Sequence, residues 1–219
     1  MRTIIAVPVY KYVEPKFFWS VENMRRVGET AVVSLENTLI YDARNQLAAA
    51  AMESKYDRIL WLDSDMVFEP DLMERLSADL DEGKDFVTGL YFSRKQPIRP
   101  TIFRECYTET TEDGMKIPMC PFYEPYPKDE LFEVAACGFG AVMMTVDHLK
   151  RVTEAYGHMP FAPVLGFGED LSYCMRAREA GEHLWCDSRV KLGHIGTFAI
   201  WEQNYQIQNI QKQYQEEGQ

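Results

Sequence analysis

The chain has 219 residues, 46% of them apolar and 26% charged. A domain of that length buries about 70% of the surface its unfolded chain exposes, and the composition excludes disordered, collagen-like and repeat classes. Thirty-four acidic against 23 basic residues leave a net charge of −11, which repels phosphate backbones and argues against bulk nucleic-acid binding.

Ile4 to Val9 reads as a buried strand, because its apolar residues run on without alternating. Residues 15 to 28 read as a loop entering a helix, with Pro15 in the first turn and Gly28 past the end. Ala31 to Leu35 suggests a second strand. Leu35, Leu39, Ala43, Leu47 and Ala51 recur every four residues and predict a helix over about 38 to 54. Arg58 to Leu62 is a third buried strand, and Asp63-Ser64-Asp65 follows it at once. Pro70 sits early in a helix reaching about Leu80. Phe86 to Phe92 is a further strand.

Residues 94 to 130 hold six of the prolines with scattered aromatics and no period. They predict an irregular insertion over a cleft or a hairpin flap, since linkers lack aromatics. Strands return between Phe132 and Val146, around Cys137-Gly138-Phe139-Gly140. A helix over 147 to 156 has Asp147 as its expected cap. Another runs from Asp170 to Ala180 and ends at Gly181. Leu184 to Cys186 and Val190 to Leu192 are short strands, and the Gln-rich tail over 199 to 219 reads as helical. Strands and helices alternating through the first half predict an α/β fold with a mainly parallel sheet flanked by helices. The five cysteines (Cys106, Cys120, Cys137, Cys174, Cys186) form no CxxC and read as reduced thiols. No apolar run reaches about 18 residues, so a cytoplasmic chain without a membrane span is expected.

Chemistry concentrates in five places. Asp63 and Asp65 stand just past a buried strand, the edge where open parallel sheets bind ligands, and hard divalent cations need such oxygens. The alternative is an acidic turn before the next helix. Gly166-Phe167-Gly168-Glu169-Asp170 opens a helix and reads either as a cap or as a ligand approach eased by the glycines. His194, flanked by Gly193 and Gly196, is a candidate metal ligand or a structural histidine. Arg44 in Tyr41-Asp42-Ala43-Arg44-Asn45 either faces a phosphate or base with its planar fork or is a solvated helix charge. Gly138 and Gly140 mark a close approach to a ligand or a bulge. Phosphate-loop, zincin and α/β-hydrolase signatures are missing.

Taken in order, these segments resemble the GT-A-fold glycosyltransferases of the broad family-2 type, and most closely small single-domain members found in phages and bacteria. The likeness spans roughly residues 3 to 198, implying a Rossmann-like GT-A domain over 1–198 and a helical tail over 199–219. It implies that Asp63-Ser64-Asp65 is a DxD motif, with Asp65 binding the metal and Asp63 assisting through water or the ribose. His194 completes the metal site, for Mn²⁺ or Mg²⁺. Pro8, Tyr10, Arg44 and Ser64 line the donor, and Gly138 and Gly140 lie beside donor sugar and acceptor. Asp170, with Glu169 beside it, matches the base of inverting members. The implied reaction moves a sugar, a hexosyl group favoured, from a nucleoside-diphosphate sugar, a UDP-sugar favoured. The acceptor is a glycan, a small molecule or a modified base. A retaining transferase with the same metal site, a nucleotidyltransferase and a non-catalytic binding module are the other readings. On general grounds a helix N-terminus lowers a carboxylate's pKa, so Asp170 is expected to be ionised and a weakened base.

Overall fold

The computed structural model describes residues 1–197 and 199–217. Residues 198, 218 and 219, on which the expected domain boundary and the end of the tail fall, lie outside the described residues. In chain order the first half is β1 (Arg2–Val9), α1 (Pro15–Asn23), β2 (Glu29–Glu36), α2 (Ile40–Glu53), β3 (Arg58–Leu62), β4 (Met66–Phe68), α3 (Leu72–Asp81) and β5 (Phe86–Leu90). Then come β6 (Ile102–Phe103), β7 (Tyr107–Thr110), β8 (Lys116–Met119), β9 (Leu131–Val134), β10 (Ala136–Cys137), β11 (Ala141–Thr145), α4 (Val146–Tyr156), α5 (Glu169–Glu179), β12 (Leu184–Ile195), β13 (Ala199–Ile200) and α6 (Glu202–Glu217).

The central path of the sheet is β12-β5-β11-β3-β1-β2. β1 is parallel to β2 and β3, and β12 is parallel to β5. β11 alone is reversed, antiparallel to both β3 and β5. The remaining strands of that path share one direction, so the mainly parallel expectation holds. β4, β9 and β13 pair antiparallel with β12 at the rim.

Continuous apolar runs make two-faced strands. On β1, Ile4 and Ala6 join one core while Ile5, Val7 and Val9 join the other. The first core is covered by Leu47, Ala48 and Ala51 of α2, Leu149 and Val152 of α4, and Tyr173 and Ala177 of α5. The second is covered by Phe17 of α1 and by Leu72, Met73, Leu76 and Leu80 of α3. The sheet is thus sandwiched between two helix layers. No helix among the described residues is long and apolar enough to cross a membrane.

Several local expectations change. α2 starts at Ile40: Leu39 is its exposed N-cap and Leu35 belongs to β2, so of the five only Ala43, Leu47 and Ala51 lie on the buried face of the helix, where Ala48 joins them. α4 is capped by Thr145, whose hydroxyl accepts from the His148 N–H at 3.1 Å, and Asp147 lies in the first turn instead. α1 ends at Asn23; Gly28, at φ +70°, sits instead where β2 begins, tight against the Met1 carbonyl. β12 is one long strand whose register slips between Asp187 and Lys191, where two short strands were expected. The 94–130 segment is more regular than its composition suggests: β6 pairs with β10, and β7 with β8 forms a hairpin. α6 folds back on the body. Tyr205 stacks on Phe92 at 5.0 Å, and the buried Glu202 accepts from the Tyr126 hydroxyl at 2.9 Å. The Gln208 amide accepts from the Ile98 N–H at 2.7 Å and donates to its carbonyl at 3.1 Å.

Candidate active site

β3 delivers Asp63-Ser64-Asp65 to the C-terminal edge of the sheet, and hydrogen bonds fix the turn. The Asp63 N–H donates to the Gly140 carbonyl at 3.1 Å, and the Met66 N–H to the Asp63 carbonyl at 3.2 Å. The Glu14 N–H donates to the Ser64 carbonyl at 3.3 Å, pinning the chain after β1 to this turn. The Asp65 carbonyl accepts from the Ile195 N–H at 2.8 Å, which brings the end of β12, and so His194, alongside.

The two aspartates then divide. Asp63 is held by Arg44 of α2, whose Nη2 donates to its Oδ1 at 2.8 Å while Nε reaches Glu169 Oε1 at 3.3 Å. Arg44 is 1% exposed, with its guanidinium 5.2 Å from the Phe139 ring centroid and 5.7 Å from that of Trp61. It is therefore not a solvated helix charge: it is a buried clamp tying the end of β3 to the start of α5. Burial raises the Asp63 carboxyl above the usual range despite the pull of Arg44.

Asp65 faces His194. The imidazole Nε2 stands 3.5 Å from Asp65 Oδ2, and Nδ1 lies 3.0 Å from the Phe92 carbonyl. A carbonyl only accepts, so Nδ1 carries a proton; Nε2, facing Asp65, donates to the carboxylate when the ring is protonated and offers a lone pair when it is neutral. Such an outer hydrogen bond is what orients a metal-binding histidine. Arg94 completes the group, with Nη1 2.7 Å from Asp65 Oδ2 and 3.2 Å from the Ile195 carbonyl. Burial alone would raise Asp65; the hydrogen bond and charge of His194, with Arg94, outweigh it and hold the carboxyl below the usual range.

Asp65 and the neutral His194 offer two electron-pair donors that fit a Mn²⁺ or Mg²⁺ once the Arg94 guanidinium, a competing cation, has left Asp65 Oδ2. The protein would supply Asp65 and His194, leaving the rest of the shell to substrate oxygens. Among the described residues no three His, Cys, Asp or Glu side chains converge as a metal cluster. Asp63, expected to share the ion, is turned to Arg44.

Asp170 sits in the first turn of α5, its Oδ1 accepting from the Leu171 N–H at 2.7 Å. Its pKa is not lowered as expected. Burial, followed by the Glu169 charge, pushes it up to about 6, against the Leu171 hydrogen bond and Arg44. The desolvated carboxyl beside another carboxylate outweighs the helix end. Asp170 is thereby poised near neutral pH, where a general base works best. Gly168 serves this placement, since a Cβ there would lie 3.1 Å from Asp170 Oδ1.

Gly138 and Gly140 are bare for a neighbour absent from the sequence reading. The ring of Tyr91 lies on both, and its hydroxyl accepts from the Gly140 N–H at 3.1 Å. The same ring meets His194 edge-on, at 5.4 Å between centroids. Tyr91, Arg94 and the Phe92 carbonyl were thus missed. A basic residue directly after a strand at the ligand edge was the signal available for Arg94. Pro8 is buried at the end of β1, and Tyr10, 66% exposed, stands just beyond it. A Cβ on Gly140 would lie 2.7 Å from Tyr91 Cζ and 3.0 Å from Met66 Sδ. We expect Gly140→Ala to lose about 2 kcal/mol of stability in urea unfolding through overpacking. A loss below about 0.5 kcal/mol would show that Tyr91 moves freely.

The profile of the family described as "Glycosyl transferase family 2" matches residues 29–149. The chain belongs to that family. The matched stretch contains Arg44, Asp63, Asp65, Tyr91, Gly138 and Gly140; Asp170 and His194 lie beyond it. Among solved structures, A197 from STIV superposes with a TM-score of 0.63 over 90% of this chain and 86% of that one, at 21% identity. The two share a fold, as expected of a GT-A domain. S. aureus TarS 1-349 gives a TM-score of 0.49 at 15% identity, over 86% of this chain and 60% of that one. No curated protein matches the chain.

Proposed function

We propose that this family-2 glycosyltransferase moves a hexosyl group from a nucleoside-diphosphate sugar to an acceptor hydroxyl, with inversion. The observation that carries the reading is the pairing, on one sheet edge, of a cation-seeking group (Asp65, His194) with a desolvated carboxylate at Asp170. From the resemblance we favour a UDP-sugar as donor. A bound Mn²⁺ or Mg²⁺ would supply Lewis-acid stabilisation of the charge that develops on the leaving diphosphate. Asp65 and His194 hold that end of the donor. Arg44 keeps Asp63 and Glu169 in place, so the donor side and the base share one frame. Asp170 takes the proton as the acceptor oxygen attacks, a contribution of typically 10²- to 10⁴-fold.

The test is a hydrolysis screen of UDP-, GDP- and TDP-sugars with and without Mn²⁺, read by released nucleoside diphosphate. Metal-dependent release from a UDP-sugar is expected, and no release from any donor under either condition would count against the reading. We also expect Asp65→Ala and His194→Ala to weaken UDP binding in Mn²⁺ by at least about tenfold, measured by calorimetry, with an unchanged circular dichroism spectrum. Parent-like affinity in Asp65→Ala would remove the metal assignment.

A further inference from the structure

The register of the β7–β8 hairpin sets Tyr107 opposite Met119, Thr108 opposite Pro118, Glu109 opposite Ile117 and Thr110 opposite Lys116. One pair further out, Cys106 stands opposite Cys120. Opposed residues of an antiparallel pair have Cα atoms about 4.5–5.5 Å apart, within the roughly 4.4–6.8 Å a disulfide spans. The side chains use this placement: the two Sγ atoms are neighbours at 2.7 Å. Cys137, Cys174 and Cys186 are buried, whereas Cys106 and Cys120 are both partly exposed. Cys106 also lines a cavity of about 270 Å³ with Ala135, Met175, Arg178 and Glu179, room for a small reagent to approach. The hairpin lies against functional ground, because a Cβ on Gly166 would meet Pro118 Cγ at 3.4 Å, four residues before Asp170.

We propose that Cys106 and Cys120 are a redox-modification site, forming a reversible disulfide that fastens the base of the hairpin beside the loop leading to Asp170. The oxidant class is a low-molecular-weight disulfide such as oxidised glutathione. One of the two thiolates attacks one sulfur of that reagent, its S–S bond breaks and one small thiolate leaves. The other protein thiolate then attacks the protein sulfur of the mixed disulfide and expels the second. Two protein thiols are oxidised, one small disulfide is reduced to two thiols, and the protein's two protons leave on them. Burial raises both thiols above the usual range. The bridge closes the loop from residue 106 to 120, whose ends the hairpin already holds together, so little native strain opposes it.

The test uses the full-length protein equilibrated across ratios of oxidised to reduced glutathione, with thiols counted after denaturation. The count is expected to fall from five to three and to return with dithiothreitol. Peptide mapping should give one cross-linked pair containing Cys106 and Cys120. Amide exchange over residues 107–119 should slow by about tenfold or more in the oxidised form. The double variant Cys106→Ser/Cys120→Ser should read three thiols at every ratio. Five thiols at the most oxidising ratio, a bridge between other cysteines, or an equal loss in the double variant would each overturn the assignment. Unaltered amide exchange in the bridged form would overturn the fastening. None of these readouts depends on which donor or acceptor the enzyme uses.

Discussion

Asp170→Asn should cut the rate of sugar transfer by about 10²-fold or more while making the protein more stable at neutral pH. The rate falls because the amide keeps the shape, and the acceptor for the Leu171 N–H, but cannot take a proton. The stability change follows from the pKa raised to about 6, against about 3.9 for an unperturbed aspartate. Between these values the native state holds the proton more tightly than the unfolded chain, so stability falls as pH rises from about 4 to 6. Above about 6 the cost is fully present, on the order of 3 kcal/mol, and below about 4 it is gone. The variant escapes it, so its melting temperature should exceed the parent's at pH 7.5 and match it near pH 4. The parent's kcat/KM should fall on the acid side of about pH 6, and the variant should lack that limb. An equal or lower melting temperature at pH 7.5 would contradict the burial argument, and near-parental turnover would remove Asp170 as base. Product with retained anomeric configuration, read by NMR, would replace inversion with retention and leave the metal assignment untouched.

The second large effect is expected at Arg44. Arg44→Met fills similar volume but strands the Asp63 and Glu169 carboxylates, whose side chains are only 30% and 17% exposed. Removing one partner of a buried ion pair costs about 3–5 kcal/mol; partial exposure of the acids points to the lower end, about 3 kcal/mol in urea unfolding. Arg44→Lys should recover little, because one ammonium cannot bridge two carboxylates as the planar fork does. Adding Asp63→Asn to Arg44→Met should return part of the loss, since one stranded charge is then gone. A single Arg44→Met variant within about 0.5 kcal/mol of the parent would show that the clamp carries no stability.

What the chain discloses before folding is its backbone schedule and its ligand edge. Unbroken apolar runs at Ile4–Val9 and Ile59–Leu62 announce buried strands, and the acidic pair after Leu62 marks where chemistry gathers, because nothing in a core wants those charges. What stays hidden depends on neighbours brought from afar. A bare Gly138 looks the same whether it makes room for a sugar or for the Tyr91 ring. Arg44 looks like any helix-surface arginine until Asp63 and Glu169 arrive from elements 19 and 125 residues away. The sign of the Asp170 shift is hidden for a related reason: the helix end is local and legible, whereas the desolvation that outweighs it belongs to the assembled edge. Thr145 displaced Asp147 as a cap because a hydroxyl at the strand–helix junction already reaches the His148 N–H.

The Gln208 amide deals with Ile98 as a neighbouring strand would, taking its N–H and giving to its carbonyl. One side chain of α6 thereby splints the stretch that begins at Arg94, the cation resting on Asp65. The backbone four residues after that guanidinium is thus fixed by a side chain of α6, while the guanidinium itself is fixed by Asp65 and the Ile195 carbonyl.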